Sequence, residues 1–199
     1  MVTERWPHLL SGISDAEFLR GSVPLTKEEI RALTIRCARL APGLVVWDIG
    51  SGTGSLTVEA ALLVPGGSVV AVERGEEAAA LTRENCRRFG VENVQFVCGE
   101  APEVLSGLPT PDRVLVGGSG GMLREILSIC GKRLVPGGII VVNALTPATL
   151  FTTLRVLDAP PFTALAGCQV QVSRLEKLGR EYFFRAQNAV SILSARREE

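Results

Sequence analysis

The stretch LVVWDIGSGTG, Leu44 to Gly54, decides the fold. Its first four residues are apolar without a break, as in a strand buried on both faces, and the run ends in a turn with three glycines in five residues. SLTVEAALLV then takes on helical character. The same unit recurs along the chain: SVVAVER (Ser68 to Arg74) as a strand, then GEEAAALTRENCRRFG as a helix stopped by Gly90. VQFVCG is a third strand followed by a short helix, APEVLSGL. DRVLVGG is a fourth strand followed by GMLREILSICGKRL, and after the turn Pro136-Gly137-Gly138 comes IIVVNAL, followed by the helical TPATLFTTLRVLDA.

Five β-α repeats specify an α/β fold, a mostly parallel doubly wound sheet with helices on both faces. The end differs, because CQVQVSRL and REYFFRAQNAVSIL read as two strands separated by the turn-like Glu176 to Gly179. They predict a C-terminal hairpin that closes the sheet with an antiparallel strand at or near its edge. Residues 1–43 precede the sheet as an extension to a single domain at 44–199. Within that extension LTKEEIRALTIRCARL reads as a helix opened by Thr26 as N-cap, with Glu29 three residues later completing a capping box.

Glycines at a strand end let the backbone turn sharply and approach a ligand, and the following helix offers free N–H groups. Gly50, Ser51, Gly52, Thr53 and Gly54 are therefore candidate binding residues, with a plain βα turn as the alternative. Glu73, at the end of the second strand, is 19 residues beyond Gly54 (73 − 54), where nucleotide-binding α/β folds carry an acid for ribose hydroxyls. Asp48 separates two ligands that both contain ribose. A carboxylate beside the first glycine pairs with the ammonium of S-adenosyl-L-methionine, whereas it would repel the pyrophosphate of a nicotinamide dinucleotide. Position 55 is Ser, where the dinucleotide fingerprint has its third glycine. Glu100 and Ala101, after the third strand, are candidates for an adenine amino group and ring nitrogen. All these positions lie at carboxyl ends of consecutive strands, where open α/β sheets bind ligands. The arrangement resembles the class I S-adenosylmethionine-dependent methyltransferases.

Three further segments narrow the resemblance: GSVPLTKEEIRAL before the sheet, VGGSGGMLREIL from the fourth strand and LVPGGIIVVNAL through the fifth. With VVWDIGSGTGSLTVEAA and RAQNAV, the chain is similar over residues 12–193 to the CbiT family, the decarboxylating (cobalt-)precorrin-6B C15-methyltransferases of cobalamin biosynthesis. Asn188-Ala189-Val190 departs from the family's Asn-Pro-Val. The resemblance implies methyl transfer to C15 of a polycarboxylate tetrapyrrole with loss of carbon dioxide from its ring C acetate, by a homotetramer. It also implies donor contacts from Thr26, Gly50 to Gly54, Glu73 and Ala101. The glycine-rich Gly117, Gly118, Ser119, Gly120 and Gly121 would leave room for a flat acceptor, with Asn143 beside them. Arg20, Arg124 and Arg180 are candidates for its carboxylates. The family's catalytic acid or base is not identified in the sequence, and a nucleophilic meso carbon facing an activated methyl group has no need of one.

Composition excludes several other classes. Of 199 residues 46% are apolar, and Lys+Arg 21 balance Asp+Glu 21, which argues against disorder and against a broad basic face for nucleic acid or anionic lipid. Aromatics are 5%, few for a base-stacking surface, which weighs against an RNA-modifying enzyme. A protein-modifying methyltransferase and a non-catalytic methyltransferase-like domain remain as alternatives. The odd set Cys37, Cys86, Cys98, Cys130 and Cys168 has no CxxC spacing, and His8 is the single histidine, so no metal site, disulfide framework or triad hydrolase is expected. No apolar run is long enough to span a bilayer, and the expected location is cytoplasmic. Basic residues are 18 Arg against 3 Lys, a bias toward the fork-shaped cation that grips carboxylates and phosphates.

Overall fold

The computed structural model describes residues 11–198, so His8 and the start of the N-terminal extension lie outside the described residues. After a 3-10 turn at Asp15–Glu17, helix α1 (Glu28–Ala38) leads into β1 (Val45–Ile49), α2 (Ser55–Leu63), β2 (Ser68–Glu73), α3 (Glu76–Arg88) and β3 (Val94–Cys98). Then follow β4 (Arg113–Val116), α4 (Leu123–Arg133), β5 (Ile139–Ala144), α5 (Pro147–Leu157), β6 (Phe162–Val170), β7 (Ser173–Leu178), β8 (Glu181–Ala186) and β9 (Val190–Arg197). The segment after β3, predicted as a short helix, is a 3-10 helix at Glu103–Gly107.

Seven strands form one sheet in the order β3-β2-β1-β4-β5-β9-β6. β1 to β5 are parallel to one another, and β9 runs antiparallel between β5 and β6. Strand alternation divides the core into two layers. Trp47, Val70, Val114 and Ile140 face α4 and α5 through Ile126, Leu127 and Leu157. Val46, Val69, Leu115 and Val141 face α1 and α2 through Ile35, Leu56 and Ala60. Strand order reverses between β1 and β4, which opens a crevice at their carboxyl ends.

Two sequence expectations are corrected. The two late strands are four: β6 and β9 complete the main sheet, and β7 and β8 form a separate two-stranded sheet between them. Glu176 lies inside β7 and the reversal is at Gly179 and Arg180. Thr26 is not the N-cap of α1; that position is Lys27, with no side-chain cap bond. The Thr26 carbonyl accepts from the Arg31 guanidinium, which holds this turn open, and Glu29 accepts from Arg174 Nη2 at 2.9 Å instead of closing a capping box.

Candidate functional site

The glycine loop after β1 is built against the loop after β4. Gly50 has φ +72°, and a Cβ there would lie 2.6 Å from the Gly118 backbone, so only glycine lets the two loops meet at the switch point. Gly117 N–H donates to Ile49 O at 3.0 Å and fixes the second loop to the end of β1. Glu73 pins the first loop from the other side. Its Oε2 accepts from Gly52 N–H and its Oε1 from Gly75 N–H, each at 2.9 Å. Thr82 Oγ1 of α3 donates to Gly52 O at 2.9 Å.

The crevice is a cavity of about 500 Å³. It gathers Thr26, Gly50, Ser51, Gly52, Thr53, Glu73, Gly117, Gly118 and Asn143, all candidates from sequence and drawn from five separate segments. Lys27, Leu145 and Asn188, which sequence reasoning missed, are also part of its wall. Glu100 and Ala101 line an adjoining cavity of about 180 Å³ with Ser119 and Gly120, which shares Gly50, Glu73 and Gly118 with the larger one. In it Arg74 Nη1 donates to Glu100 Oε1 at 2.8 Å, with both side chains half exposed. A third hollow of about 190 Å³ joins the main cavity through Gly117, Gly118, Asn143 and Leu145, and is lined by no charged side chain. Asn143 is buried on the α1 side of the sheet, its amide 2.9 Å from Thr34 Oγ1.

Asp48 stands beneath the loop, not on the cavity wall. It is 1% exposed, Thr57 Oγ1 of α2 donates to its Oδ2 at 2.6 Å, and its Oδ1 has no partner. Burial pushes its carboxyl up to about 6; the Glu73 charge adds to the rise and the Thr57 bond opposes it. Gly54 opens α2, and Gly121 is exposed beyond the second loop. Arg20, Arg124 and Arg180 are exposed and line none of these three cavities; Arg180 is at the turn between β7 and β8. Among the described residues no cluster of three metal-ligating side chains occurs, and no helix is long and apolar enough to cross a membrane.

The wall formed by residues 23–27 is held by an ion network. Arg31, fully buried, donates from Nε to Glu59 Oε1 at 2.9 Å and from Nη1 to Asp15 Oδ1 at 2.8 Å. Arg174 of β7 bridges Asp15 and Glu29, each at 2.9 Å. Burial raises the pKa of Asp15, but the bonds from Arg31 and Arg174 outweigh it and hold the carboxyl below its ordinary value.

A parallel sheet with its one antiparallel strand next to last, a glycine loop at the switch point and an acid at the end of β2 define a class I methyltransferase. An S-adenosylmethionine-dependent O-methyltransferase from Thermotoga maritima superposes with TM-score 0.76 at 18% identity, covering 97% of this chain and 72% of its own. The family model for the precorrin methyltransferase domain matches residues 17–197, and the chain belongs to that family. A cobalt-precorrin-6B C(15)-methyltransferase (decarboxylating) from Salmonella typhimurium is 36% identical over 188 residues, 94% of this chain and 97% of that protein. The crystal structure of a precorrin-6y C5,15-methyltransferase from Geobacter metallireducens superposes with TM-score 0.89 at 38% identity, covering 96% and 100% of the two chains.

Proposed function

We propose that this protein transfers a methyl group from S-adenosyl-L-methionine to C15 of a (cobalt-)precorrin-6B macrocycle and releases the ring C acetate carboxyl as carbon dioxide, in corrin biosynthesis. The observation that carries the reading is the cavity of about 500 Å³ in which the pinned glycine loop and Glu73 face Gly117, Gly118 and Asn143. The residues fit the donor: a loop with no side chain at Gly50, Gly52 and Gly54, a carboxylate at the end of β2, and the partnerless Asp48 Oδ1 below. S-adenosylmethionine supplies an electrophilic methyl group. Glu73 takes the ribose hydroxyls while keeping the loop pinned, since a carboxylate accepts about four hydrogen bonds and two are in use. Glu100 and Ala101 border the adenine side, and Asp48 supplies negative charge beneath the methionine end.

Of the Gly117 to Gly121 loop, Gly117, Gly118 and Ser119 form the acceptor side with Asn143, where a loop without large side chains leaves room for a flat ring. Catalysis is then positioning and exclusion of water by the two loops and the 23–27 wall, with no general base required. The acceptor's carboxylates meet Arg20, Arg124 and Arg180 only outside these cavities, so we assign those arginines to its approach and not to its reacting face.

The chain is further proposed to act as a homotetramer in the cytoplasm. Leu175, Leu178, Tyr182 and Phe184 expose apolar surface on β7 and β8, as a subunit interface requires, and five free cysteines accord with a reducing compartment. Phe184→Asp is expected to lower the mass seen by sedimentation; an unchanged mass would remove this face from the interface.

The reaction is tested by mass spectrometry of cobalt-precorrin-6B and its metal-free analogue after incubation with protein and donor. One methyl gained and one carbon dioxide lost is the expected result, and a macrocycle left unchanged while donor binds overturns the assignment. Glu73→Ala should weaken donor binding by roughly 1–3 kcal/mol in calorimetry, the cost of stranding hydrogen-bond partners. Unaltered affinity would take Glu73 out of the site.

A further inference from the structure

A second cavity, of about 490 Å³, lies at the end of the sheet away from the glycine loops. It is lined by the last turn of α1, by Ile139 at the start of β5, and by Arg196 opposite it near the end of β9. Its remaining wall is β6, where a bulge interrupts the register between Thr163 and Ala166. The floor is small and largely apolar (Ala164, Ala166, Gly167, Ala195), and the charged groups are Arg36, Arg39 and Arg196, with no carboxylate among the lining residues.

None of these three arginines is in an ion pair among the described residues. Basic residues at a helix C-terminus ordinarily answer its free carbonyls. Here Arg113 already does so, donating to Ala38 O at 2.7 Å and Arg39 O at 3.4 Å, which leaves the lining arginines without that task. Arg113 also feels the charges of Arg39 and Arg196, and the acid it faces, Asp112, already accepts at Oδ2 from Val45 N–H at 2.7 Å. The backbone is strained at the same place. Arg39 (φ 49°) and Ala164 (φ 51°) are the two non-glycine residues with positive φ among those described, and both line this cavity. Such conformations persist where surrounding structure imposes them, and they gather at binding sites.

We propose that this cavity is a second ligand site, for a small polyanion whose negative groups are phosphates or carboxylates. The planar guanidinium fork matches both groups in bidentate fashion. A ligand here offsets a cation cluster that the protein itself leaves uncompensated. The site is separate from the donor cavity, with which it shares no lining residue.

Cys37 and Cys168 line the cavity and give it a chemical readout. Cys86 and Cys130 are buried, their thiols pushed up to about 12 by burial, and Cys98 is exposed elsewhere. In a Cys98→Ser background, labelling by a dianionic aryl disulfide therefore reports on the cavity. Pyrophosphate or citrate, against chloride at matched ionic strength, is expected to slow labelling several-fold. The anion that protects better identifies phosphate or carboxylate as the ligand chemistry. Arg39→Gln with Arg196→Gln should abolish the protection and slow the dianionic reagent relative to neutral iodoacetamide, with donor affinity and circular dichroism unchanged. Absence of protection by either anion, or equal protection in the double variant, overturns the proposal.

Discussion

Arg31→Met is expected to cost about 3–5 kcal/mol of folding stability, the range for removing one partner of a buried ion pair. The guanidinium is fully buried and spends its donors on Glu59, Asp15 and the carbonyls of Ile13 and Thr26. Its plane also stacks 4.7 Å from the Phe18 ring. Methionine fills much of the volume but leaves Glu59, itself 1% exposed, with only the Gly12 and Ile13 N–H groups as partners among the described residues. Asp15 then keeps Arg174 at 2.9 Å and the more distant Lys27 at 4.0 Å, whereas Glu59 is left without an ion-pair partner among the described residues. Urea unfolding measures the loss, and a change below about 1 kcal/mol would mean the network is solvated in solution. Arg31→Met with Glu59→Met should recover part of the loss, because an apolar pair carries no uncompensated charge. The same variant should weaken donor binding, since Thr26 on the cavity wall is held by Arg31.

That network marks where sequence reading stops. The parallel sheet was legible because each β-α unit announces itself locally, and four of the site's loops follow from the ends of those strands. Gly50 to Thr53, Glu73, Gly117, Gly118 and Asn143 converge on one cavity as their positions at strand ends require. The late strands were not legible, because CQVQVSRL alternates without interruption across the point where β6 ends. What ends β6 is its partner: Val170 pairs with Val190, the first residue of β9, so beyond it there is nothing to bond. Thr26 misled for a similar reason. Its local capping chemistry is overridden by a side chain on the next turn that binds its carbonyl. Arg174 and Arg74 have no local signal at all. Each is one arginine among 18, and only the folded chain brings Arg174 to Asp15 and Arg74 to Glu100.

Asp48 yields the other large effect, one that couples stability to the proposed donor site. Its carboxyl is ordinary in the unfolded chain and about 6 when folded, so between these values the folded protein binds the extra proton. Stability from this group is therefore greatest in acid and falls as pH rises from about 4 to about 6, by on the order of 3 kcal/mol, then stays level. Asp48→Asn has no such titration. The stability of the variant relative to the parent should accordingly climb by about that amount over the same window in urea unfolding, whatever its constant offset. Parallel pH profiles for the two proteins would show that the carboxyl is not held in its buried, partnerless state. Donor binding should reverse the trend. An ammonium near Oδ1 favours the carboxylate, so saturating S-adenosylmethionine is expected to flatten the parent's profile and to bind more tightly above pH 6 than below it. Asp48→Asn should lose both behaviours, because an amide offers the ammonium no charge. In the free protein the carboxylate at neutral pH is thus a cost to the fold that donor binding offsets.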